Sequence, residues 1–307
     1  MSKLEEAYSI EYGEAVNAEK AYELFWEGFI NDKRAFECTD PKCEAQITCV
    51  NIDKKRAEMK QTPHFKCYGR HSEECEVIKE FKEIEENKSR RTGRQAIGYI
   101  DNKIDLFSFN RPKRDSVIIK TKGKTDIETK KKNKERIEQE YKSNGSRNVT
   151  YYSIKPLISK FEKYSSENTL NKHFVNIKIS KARDIKISYN KMFVNIKDME
   201  VDKIEKYFRI YYGVGKIYKT KKNERDFVIF LSDGFGNKKT KTIIYISDST
   251  IEKNYMKNKW REELEYLVQE KDNKIIFFVN CKLQQKDDTI TLPLFNMDFF
   301  DYRILSE

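Results

Sequence analysis

Alternating hydrophobic and polar positions are the clearest pattern in the chain, and they recur throughout its C-terminal third. The alternation has a period of two residues, which is typical of β-strands with one buried face. It runs through residues 208–219, 226–232, 241–247, 274–283 and 289–295, with an extension at 299–305. A helical pattern from Ser249 to Gln269 separates the third run from the fourth. A three-strand meander, a helix and two further strands are the order of an OB-fold, so we predict an OB-like β-barrel with one long helix over residues 206–307.

The first of these runs is long and contains two glycines, Gly213 and Gly215. Glycine inside a strand often marks a bend or the close approach of another backbone. A first strand that bends sharply is able to pair with both halves of a barrel, which agrees with the OB-like prediction. A different small β-barrel is the alternative.

Helical spacing also occurs near the N-terminus. Ala21, Leu24 and Phe25 share one face of a helix that we predict over residues 15–31, with Asn17 as its N-cap. The helix is amphipathic, so we expect it to pack beside the segment that follows it.

A second helix is predicted over residues 150–167, with Thr150 as its N-cap, and alternating runs at 175–180 and 184–188 predict a hairpin. Together these patterns predict an α+β protein with four segments. The segments are a helix with a zinc-binding module (1–85), a basic linker or middle region (86–149), a small α/β connecting segment (150–205) and the OB-like barrel (206–307).

Cysteine and histidine are concentrated in residues 38–75. This stretch holds five of the six cysteines and two of the three histidines of the chain. Thiolate and imidazole groups are good ligands of Zn²⁺, and four protein ligands favour a structural ion, so we predict a structural zinc site. Disulfides in a secreted domain are the alternative. No signal peptide precedes the cluster, which favours a reducing compartment and a metal.

The spacing of these residues selects the ligands. Cys38 and Cys43 flank a tight turn that brings their sulfur atoms together, and His71 and Cys75 are one helical turn apart. We therefore predict Cys38, Cys43, His71 and Cys75 as the ligands, with His64 and Cys67 as alternates. Cys49 lies in an alternating apolar run, which predicts a buried strand residue.

This segment resembles the N-terminal zinc-binding segment of bacterial CoiA-like competence proteins. The resemblance rests on the CxxxxC turn, the His-Phe pair at His64 and Phe65, and the later His71 and Cys75. The resemblance covers about the first 80 residues. In that family a nuclease-like domain with a carboxylate-rich core and a lysine follows the zinc segment. No such stretch follows here, so the resemblance implies a zinc segment and carries over no catalytic activity.

The charge of the chain favours a polyanionic partner. The chain has 61 Lys and Arg against 50 Asp and Glu, a net charge of +11. Residues 111–147 hold thirteen basic and six acidic residues with little apolar content, which predicts a mobile, solvated linker that is able to gather nucleic-acid backbone. No apolar run approaches the about 18 residues of a membrane span, so we expect a soluble, cytoplasmic protein.

The predicted barrel has a composition suited to nucleic acid. Residues 206–247 hold ten basic and three acidic residues, with aromatic residues between them. Bases stack on aromatic rings while lysine and arginine contact phosphates, and tyrosine tolerates exposure through its hydroxyl group. Alternation also means that half of these rings fill the core. The predicted nucleic-acid-binding residues are Arg209, Tyr211, Lys216, Tyr218, Lys219, Lys241 and Tyr245.

These observations predict a zinc-containing protein that binds nucleic acid, and the barrel favours single-stranded DNA or RNA. Walker A, GxGxxG, HExxH and GxSxG motifs are absent from the sequence, and no catalytic residues are predicted. Two alternatives stay open. One is a nuclease or other nucleic-acid-directed effector in phage–host conflict, in which His64 or His71 would be free of zinc. The other is an adaptor whose zinc module binds a protein partner.

Overall fold

The computed structural model shows a mixed α+β protein that divides into two compact units. The first unit comprises Met1–Asp105 and Arg111–Val149, and the second comprises Leu106–Asn110 and Thr150–Glu307. The residues that the structure describes are 4, 6–59, 61–79, 105–110, 127–144, 150–180, 183–199, 208–232, 240–270 and 273–305. The α+β class predicted from the sequence is confirmed.

A five-stranded antiparallel sheet is the centre of the described part of the first unit. Its strands are β1 (Glu6–Ser9), β2 (Ala15–Asn17), β3 (Phe36–Glu37), β4 (Gln46–Val50) and β5 (His64–Cys67), accompanied by helices α1 (Ala18–Trp26) and α2 (Ile127–Asn144) and a short 3-10 turn (Arg56–Glu58). The strands are ordered β2-β1-β3-β4-β5, and every neighbouring pair is antiparallel.

Helix α1 begins at the predicted cap. The side chain of Asn17 accepts a hydrogen bond of 2.8 Å from the backbone N–H of Lys20, which satisfies one of the free donors at the helix start. Tyr22 and Leu24 are buried on its inner face. The helix is shorter than the predicted 15–31, because residues 15–17 pair with β1 as strand β2 and the helix ends at Trp26.

Helix α2 lies in the basic stretch for which the sequence predicted a mobile linker. Lys130, Lys134 and Ile137 are spaced along one helical face, and Lys134 and Ile137 are buried. Because lysine stems supply much of this buried face, the segment shows no hydrophobic period. The linker prediction is therefore wrong for residues 127–144.

The second unit contains two sheets in its described residues. Its strands are β6 (Asp105–Ser108), β7 (Thr150–Tyr151), β8 (Phe174–Ser180), β9 (Arg183–Ser188), β10 (Phe193–Asn195), β11 (Arg209–Lys219), β12 (Phe227–Leu231), β13 (Lys241–Ile246), β14 (Lys274–Cys281), β15 (Gln284–Lys286), β16 (Thr289–Pro293) and β17 (Phe300–Leu305). Its helices are α3 (Lys155–Ser166), α4 (Tyr189–Met192), α5 (Asp248–Glu252) and α6 (Lys257–Gln269), with 3-10 turns at Ile196–Asp198 and Met297–Phe299.

The smaller sheet has the order β7-β6-β8-β9 in the described part of the chain. Strands β8 and β9 are antiparallel, which confirms the predicted hairpin. Helix α3 begins at Lys155 with Ile154 at its N-cap position, whereas the predicted cap, Thr150, lies in β7. Across the described residues, no helix has both the length and the apolar character that a membrane crossing requires.

The larger sheet is built around β11. Strands β11, β12 and β13 form the predicted antiparallel meander, and β13 pairs with β16 in parallel. The first half of β11 pairs with β14 on one side and with β10 on the other, so one long strand serves two groups of partners. Gly215 allows this close packing, because a Cβ atom there would lie 2.6 Å from the carbonyl oxygen of Phe230.

The predicted closed barrel is not found among the described strands, and the larger sheet is open. Its order is β15-β16-β13-β12-β11-β14-β17, with β10 beside β11. Pairing of β14 with β16 would close it, but the second edge of β14 is occupied by β17 and the second edge of β16 by β15. The sequence correctly predicted the order of the meander, the helical segment and the later strands. The barrel does not close, because β17 and β15 occupy the edges at which β14 and β16 would pair.

The single long helix predicted between β13 and β14 is two helices, α5 and α6. Asn254 lies between them and its side chain accepts a hydrogen bond of 2.9 Å from the backbone N–H of Met256. An asparagine that bonds to the backbone two residues ahead forms a turn instead of a helix. The break at residues 253–256 therefore comes from a local side chain inside an otherwise helical pattern.

Candidate metal centre and candidate nucleic-acid interface

Three sulfur atoms and one imidazole nitrogen come together in the first unit. One ligand atom from each of Cys38, Cys43, His71 and Cys75 lies within 4.8 Å of all the others. The Sγ atoms of Cys38 and Cys75 are 3.7 Å apart, and Nδ1 of His71 is 3.4 Å from the Sγ atoms of both Cys43 and Cys75. The four ligands predicted from spacing are therefore brought together.

These distances agree with tetrahedral metal coordination. Zn–S bonds of about 2.3 Å and Zn–N bonds of about 2.0 Å place neighbouring sulfur atoms about 3.8 Å apart and sulfur about 3.5 Å from nitrogen. A disulfide would require about 2.05 Å between sulfur atoms, and all six cysteines are free. The cluster is a candidate metal centre, and three soft thiol groups with one imidazole are a donor set that suits zinc.

A short turn after β3 holds the first ligand pair. The backbone N–H of Cys38 donates to the carbonyl of Ala45 at 3.0 Å, and that of Cys43 donates to the carbonyl of Asp40 at 3.1 Å. The carboxylate of Asp40 accepts hydrogen bonds of 2.7 Å from the backbone N–H groups of Lys42 and Glu76. Since Glu76 follows the last ligand, Asp40 ties the two halves of the cluster together.

The second ligand pair lies in a turn after β5. The backbone N–H of Cys75 donates to the carbonyl of Ser72 at 3.1 Å, and the Ser72 hydroxyl donates to the carbonyl of Lys42 at 3.1 Å. Cys38, Cys43 and Cys75 are buried, while His71 is half-buried. The site therefore lies beneath the surface, with the imidazole on its outer side.

The thiol groups of the cluster influence one another. The hydrogen bond between the Cys38 and Cys75 side chains lowers the pKa of Cys75 to about 5. The same bond, together with burial, raises the pKa of Cys38. The hydrogen bond thus favours the thiolate form at Cys75, and the thiolate is the form of cysteine that binds metal ions.

The alternate ligands lie outside the cluster. Nδ1 of His64 is 2.9 Å from the carbonyl oxygen of Thr62, and the thiol of Cys67 donates to the carbonyl of Gly69 at 3.2 Å. Cys49 is fully buried in β4, as its alternating pattern predicted. The spacing of cysteine and histidine in the sequence therefore predicted the same four residues that the fold brings together.

One face of the larger sheet carries exposed aromatic and basic side chains. Tyr218 on β11 lies opposite Val228 on β12, which lies opposite Tyr245 on β13. The two tyrosines are 47% and 43% exposed. In the next row, Lys216 lies opposite Phe230. We call this surface the tyrosine face and define it by Lys216, Tyr218, Phe230, Lys241 and Tyr245.

The rings and cations of the tyrosine face are close to one another. The ring centroids of Tyr218 and Phe230 are 5.8 Å apart, and Nζ of Lys241 lies 4.9 Å from the centroid of Phe230. Lys216 and Lys241 are both exposed. Aromatic rings and two positive charges are therefore presented on the same side of the sheet, with the Tyr218 and Phe230 rings tilted by 60° to each other.

Tyr245 is fixed at its hydroxyl end. Its hydroxyl donates a hydrogen bond of 2.6 Å to the carboxylate of Asp226, which also accepts one of 2.7 Å from the backbone N–H of Asp248. Burial raises the pKa of Asp226, but these hydrogen bonds outweigh it and keep the pKa below its ordinary value. The same bond raises the pKa of Tyr245. The tyrosine ring is consequently held in one orientation with its face exposed.

Three of the predicted nucleic-acid-binding residues are not on the tyrosine face. Tyr211 is fully buried, so the prediction of an exposed stacking ring there is wrong in this structure. Strand alternation places Arg209 and Lys219 on the same side of β11 as Tyr211. Lys219 pairs with Glu265 on α6 at 3.1 Å, and the Arg209 guanidinium donates to the carbonyl of Phe208 at 3.0 Å.

Sequence reasoning missed Phe295. This residue is 71% exposed and comes two positions after Pro293, which lies opposite Tyr245 in the β13–β16 ladder. Its backbone is fixed, since Leu294 and Met297 on either side are buried. The sequence did contain a signal for this exposure. Within the alternating run 289–295, Phe295 is two positions after Pro293, and residues two positions apart in a strand point to the same face.

No protein-family model, curated protein or solved structure matches this chain. The resemblance of the cysteine and histidine segment to CoiA-like proteins consequently stays an untested expectation. What the protein does has to be inferred from the two groups of residues described above, the candidate metal centre and the tyrosine face.

Proposed function

We propose that this protein binds single-stranded nucleic acid on the tyrosine face and holds a structural Zn²⁺ ion in its first unit. The observation that carries the binding proposal is the pairing of two half-exposed tyrosines, Tyr218 and Tyr245, with two exposed lysines on one open sheet face. Stacking of a base on an aromatic ring contributes about 1–3 kcal/mol, and lysine ammonium groups follow the phosphates.

The exposed rings favour a single strand over a duplex. In a duplex the bases stack on each other, and their faces do not reach a protein surface. Tyr218 and Tyr245 are two strand spacings apart, about 10 Å across the sheet. Two rings at this separation are able to contact different bases of one extended strand.

The strand connections support the same proposal. Although the larger sheet is open, β11, β12 and β13, the helical segment, and then β14 and β16 follow one another along the chain in the order expected of an OB-fold. In OB-folds the face of the second and third strands binds oligonucleotides, and the corresponding strands in this proposal are β12 and β13. Phe230 and Tyr245 belong to those two strands.

The zinc proposal rests on the donor set and its spacing. Three sulfur atoms and one nitrogen, all within 4.8 Å of one another, would occupy all four positions around a tetrahedral ion and leave no open position for a substrate, which is the character of a structural ion. In small modules of this kind, metal binding supplies part of the folding free energy.

Fluorescence anisotropy with labelled single-stranded DNA, RNA and duplex DNA tests the binding proposal. Single strands should bind more tightly than duplex at the same salt concentration. Tyr218→Ala and Tyr245→Ala should each weaken binding by about 1–3 kcal/mol, because each removes one stacking ring. Tyr68→Ala is the matched control, since Tyr68 is 62% exposed but lies in the first unit.

Four outcomes would decide against the proposal. Equal affinities of both tyrosine variants and the wild type would show that the rings do not contact bases. Equal loss in Tyr68→Ala would show a nonspecific effect. Cleavage of a probe only with a divalent ion would favour the nuclease alternative, and the complete absence of binding at low salt would favour the adaptor alternative.

A further inference from the structure

Lys134 on helix α2 is the most deeply buried lysine among the residues that the structure describes. Its side chain is 2% exposed, although a buried ammonium group is costly unless it is fully paired. It lies in the stretch of the sequence that is richest in lysine, where neighbouring Lys131 and Lys132 are exposed. The burial of Lys134 therefore needs an explanation, whereas the exposure of the neighbouring lysines does not.

The ammonium group of Lys134 bonds to the turn that holds the first ligand pair. Its Nζ donates to the backbone carbonyl of Cys43 at 2.9 Å and to that of Asp40 at 3.5 Å. It also pairs with the carboxylate of Glu37 at 3.2 Å, directly before Cys38 in the chain. All three N–H donors of the ammonium group consequently have partners at the candidate metal centre.

Three other contacts fix helix α2 beside this turn. Lys130 pairs with Glu37 at 2.6 Å, and the side-chain amide of Asn133 donates to the carbonyl of Gly13 at 3.1 Å. Lys130 also pairs with Glu44 at 3.8 Å, so ion pairs hold α2 to residues on both sides of the Cys38–Cys43 turn.

We infer that Lys134 is a positioning residue for the metal centre and that docking of helix α2 is linked to metal binding; this inference rests on the zinc site proposed above. Lys134 holds the carbonyl groups of the Cys38–Cys43 turn, so it fixes the direction in which the two sulfur atoms point. Partners beyond the direct ligands often change metal affinity by about 10–100-fold. Linkage is reciprocal, so loss of the metal must weaken the docking of α2 by the same free energy.

The first experiment compares Lys134→Met with Lys132→Met. Lys132 is the matched control, because it is on the same helix and its side chain is 73% exposed. Competition with a chromophoric chelator should show a loss of about 10–100-fold in Zn²⁺ affinity for Lys134→Met and no change for Lys132→Met. The protein loaded with Co²⁺ should show shifted ligand-field and thiolate charge-transfer bands in Lys134→Met alone, a change that loss of stability by itself would not produce.

The second experiment uses the wild type, so it does not depend on a variant that folds. Amide hydrogen exchange is measured with Zn²⁺ bound and after its removal by a chelator. Helix α2 should exchange faster after removal. Unchanged exchange in α2, or equal affinities and spectra for the two methionine variants, would overturn the inference. If the wild type binds neither Zn²⁺ nor Co²⁺, the metal centre itself is overturned along with the role of Lys134, whereas metal binding with no Lys134 effect overturns the role alone.

Discussion

The six cysteines of this chain occupy three kinds of surroundings, and the surroundings decide what each thiol is able to do. Cys49 and Cys281 lie in the sheet cores, where burial raises the pKa of each thiol and leaves it protonated. Cys67 is half-buried beside the cluster. The remaining three thiols meet at one imidazole nitrogen. A single residue type therefore provides core packing at two positions and candidate ligand atoms at three.

The first residue-scale prediction separates ligands from neighbouring thiols. Cys43→Ser should abolish stoichiometric metal binding and lower the unfolding temperature of the first unit, because metal binding there is part of the folding free energy. Cys67→Ser is the control and should keep one metal ion per chain. Elemental analysis and thermal unfolding of both variants measure these effects. Retention of metal in Cys43→Ser with its loss in Cys67→Ser would show that the alternate ligand is the true one.

The second residue-scale prediction concerns the bond that holds Tyr245. Because folding lowers the pKa of Asp226, its ionised carboxylate contributes stability above about pH 4, and this contribution is lost as the pH falls through the lower folded-state value. Asp226→Asn should lower the free energy of unfolding by about 1 kcal/mol at pH 7. The difference from wild type should shrink at pH 3.

Urea unfolding at the two pH values measures this difference. Tyr245→Phe is the matched variant, since it removes the donor of the same bond and keeps the ring. Its stability loss should be smaller than that of Asp226→Asn, because the Asp226 carboxylate also accepts a hydrogen bond from the backbone N–H of Asp248. An Asp226→Asn effect of the same size at both pH values would show that the carboxylate charge is not what stabilises the contact.

At the scale of elements, each strand of the larger sheet divides its residues between two environments. On β11 the odd-numbered positions from Tyr211 to Ile217 are buried, while Lys216 and Tyr218 face solvent. Alternation predicted that half of the aromatic residues would fill the core, but it did not assign the faces. Packing of β11 against α6, where Lys219 pairs with Glu265, decides which face of the strand is buried.

Helix α2 shows the opposite relation between pattern and structure. Its sequence has no apolar stripe, yet the helix packs against the sheet of its unit through Lys130, Lys134 and Ile137. Its buried face is held by charges and hydrogen bonds to residues about 90 positions earlier in the chain. Hydrophobic periodicity does not detect such a helix, because its partners are polar groups distant in sequence.

At the scale of the whole molecule, the net charge of +11 is distributed in two ways. Some lysines form ion pairs, with the half-buried Glu37 in the first unit and with the exposed Glu265 in the second. Others, including Lys216 and Lys241, stand exposed beside aromatic rings. The total charge attracts any polyanion. The exposed lysines beside aromatic rings, in contrast, indicate where on the surface a polyanion would bind.

The whole-molecule prediction uses salt dependence to distinguish local from diffuse attraction. Removal of one lysine that pairs with a phosphate should reduce the slope of log affinity against log salt by about 0.7 for a single strand. Lys216→Ala and Lys241→Ala should each show this reduction. Lys222→Ala, an exposed lysine in the β11–β12 turn, is the control of equal charge and should leave the slope unchanged. Equal changes in all three variants would indicate diffuse attraction instead of a defined site.

The candidate metal centre was predicted from the sequence more completely than the tyrosine face. Two close pairs of ligands, Cys38 with Cys43 and His71 with Cys75, are each within one turn, so local geometry fixes most of the site. The tyrosine face depends on the register of three strands and on which side is covered. Of the seven predicted residues, the structure places Lys216, Tyr218, Lys241 and Tyr245 there and leaves the others elsewhere.

The sequence by itself determined the α+β class, the candidate ligand set, the Asn17 cap and the order of the meander, the helical segment and the later strands, because each depends on spacing within a short segment. Only the tertiary structure decided the open sheet, since closure is prevented by β15 and β17 at its edges. It also decided the burial of Tyr211 and of Lys134. Both depend on what packs against a face from a distant part of the chain, and short-range spacing does not encode that packing.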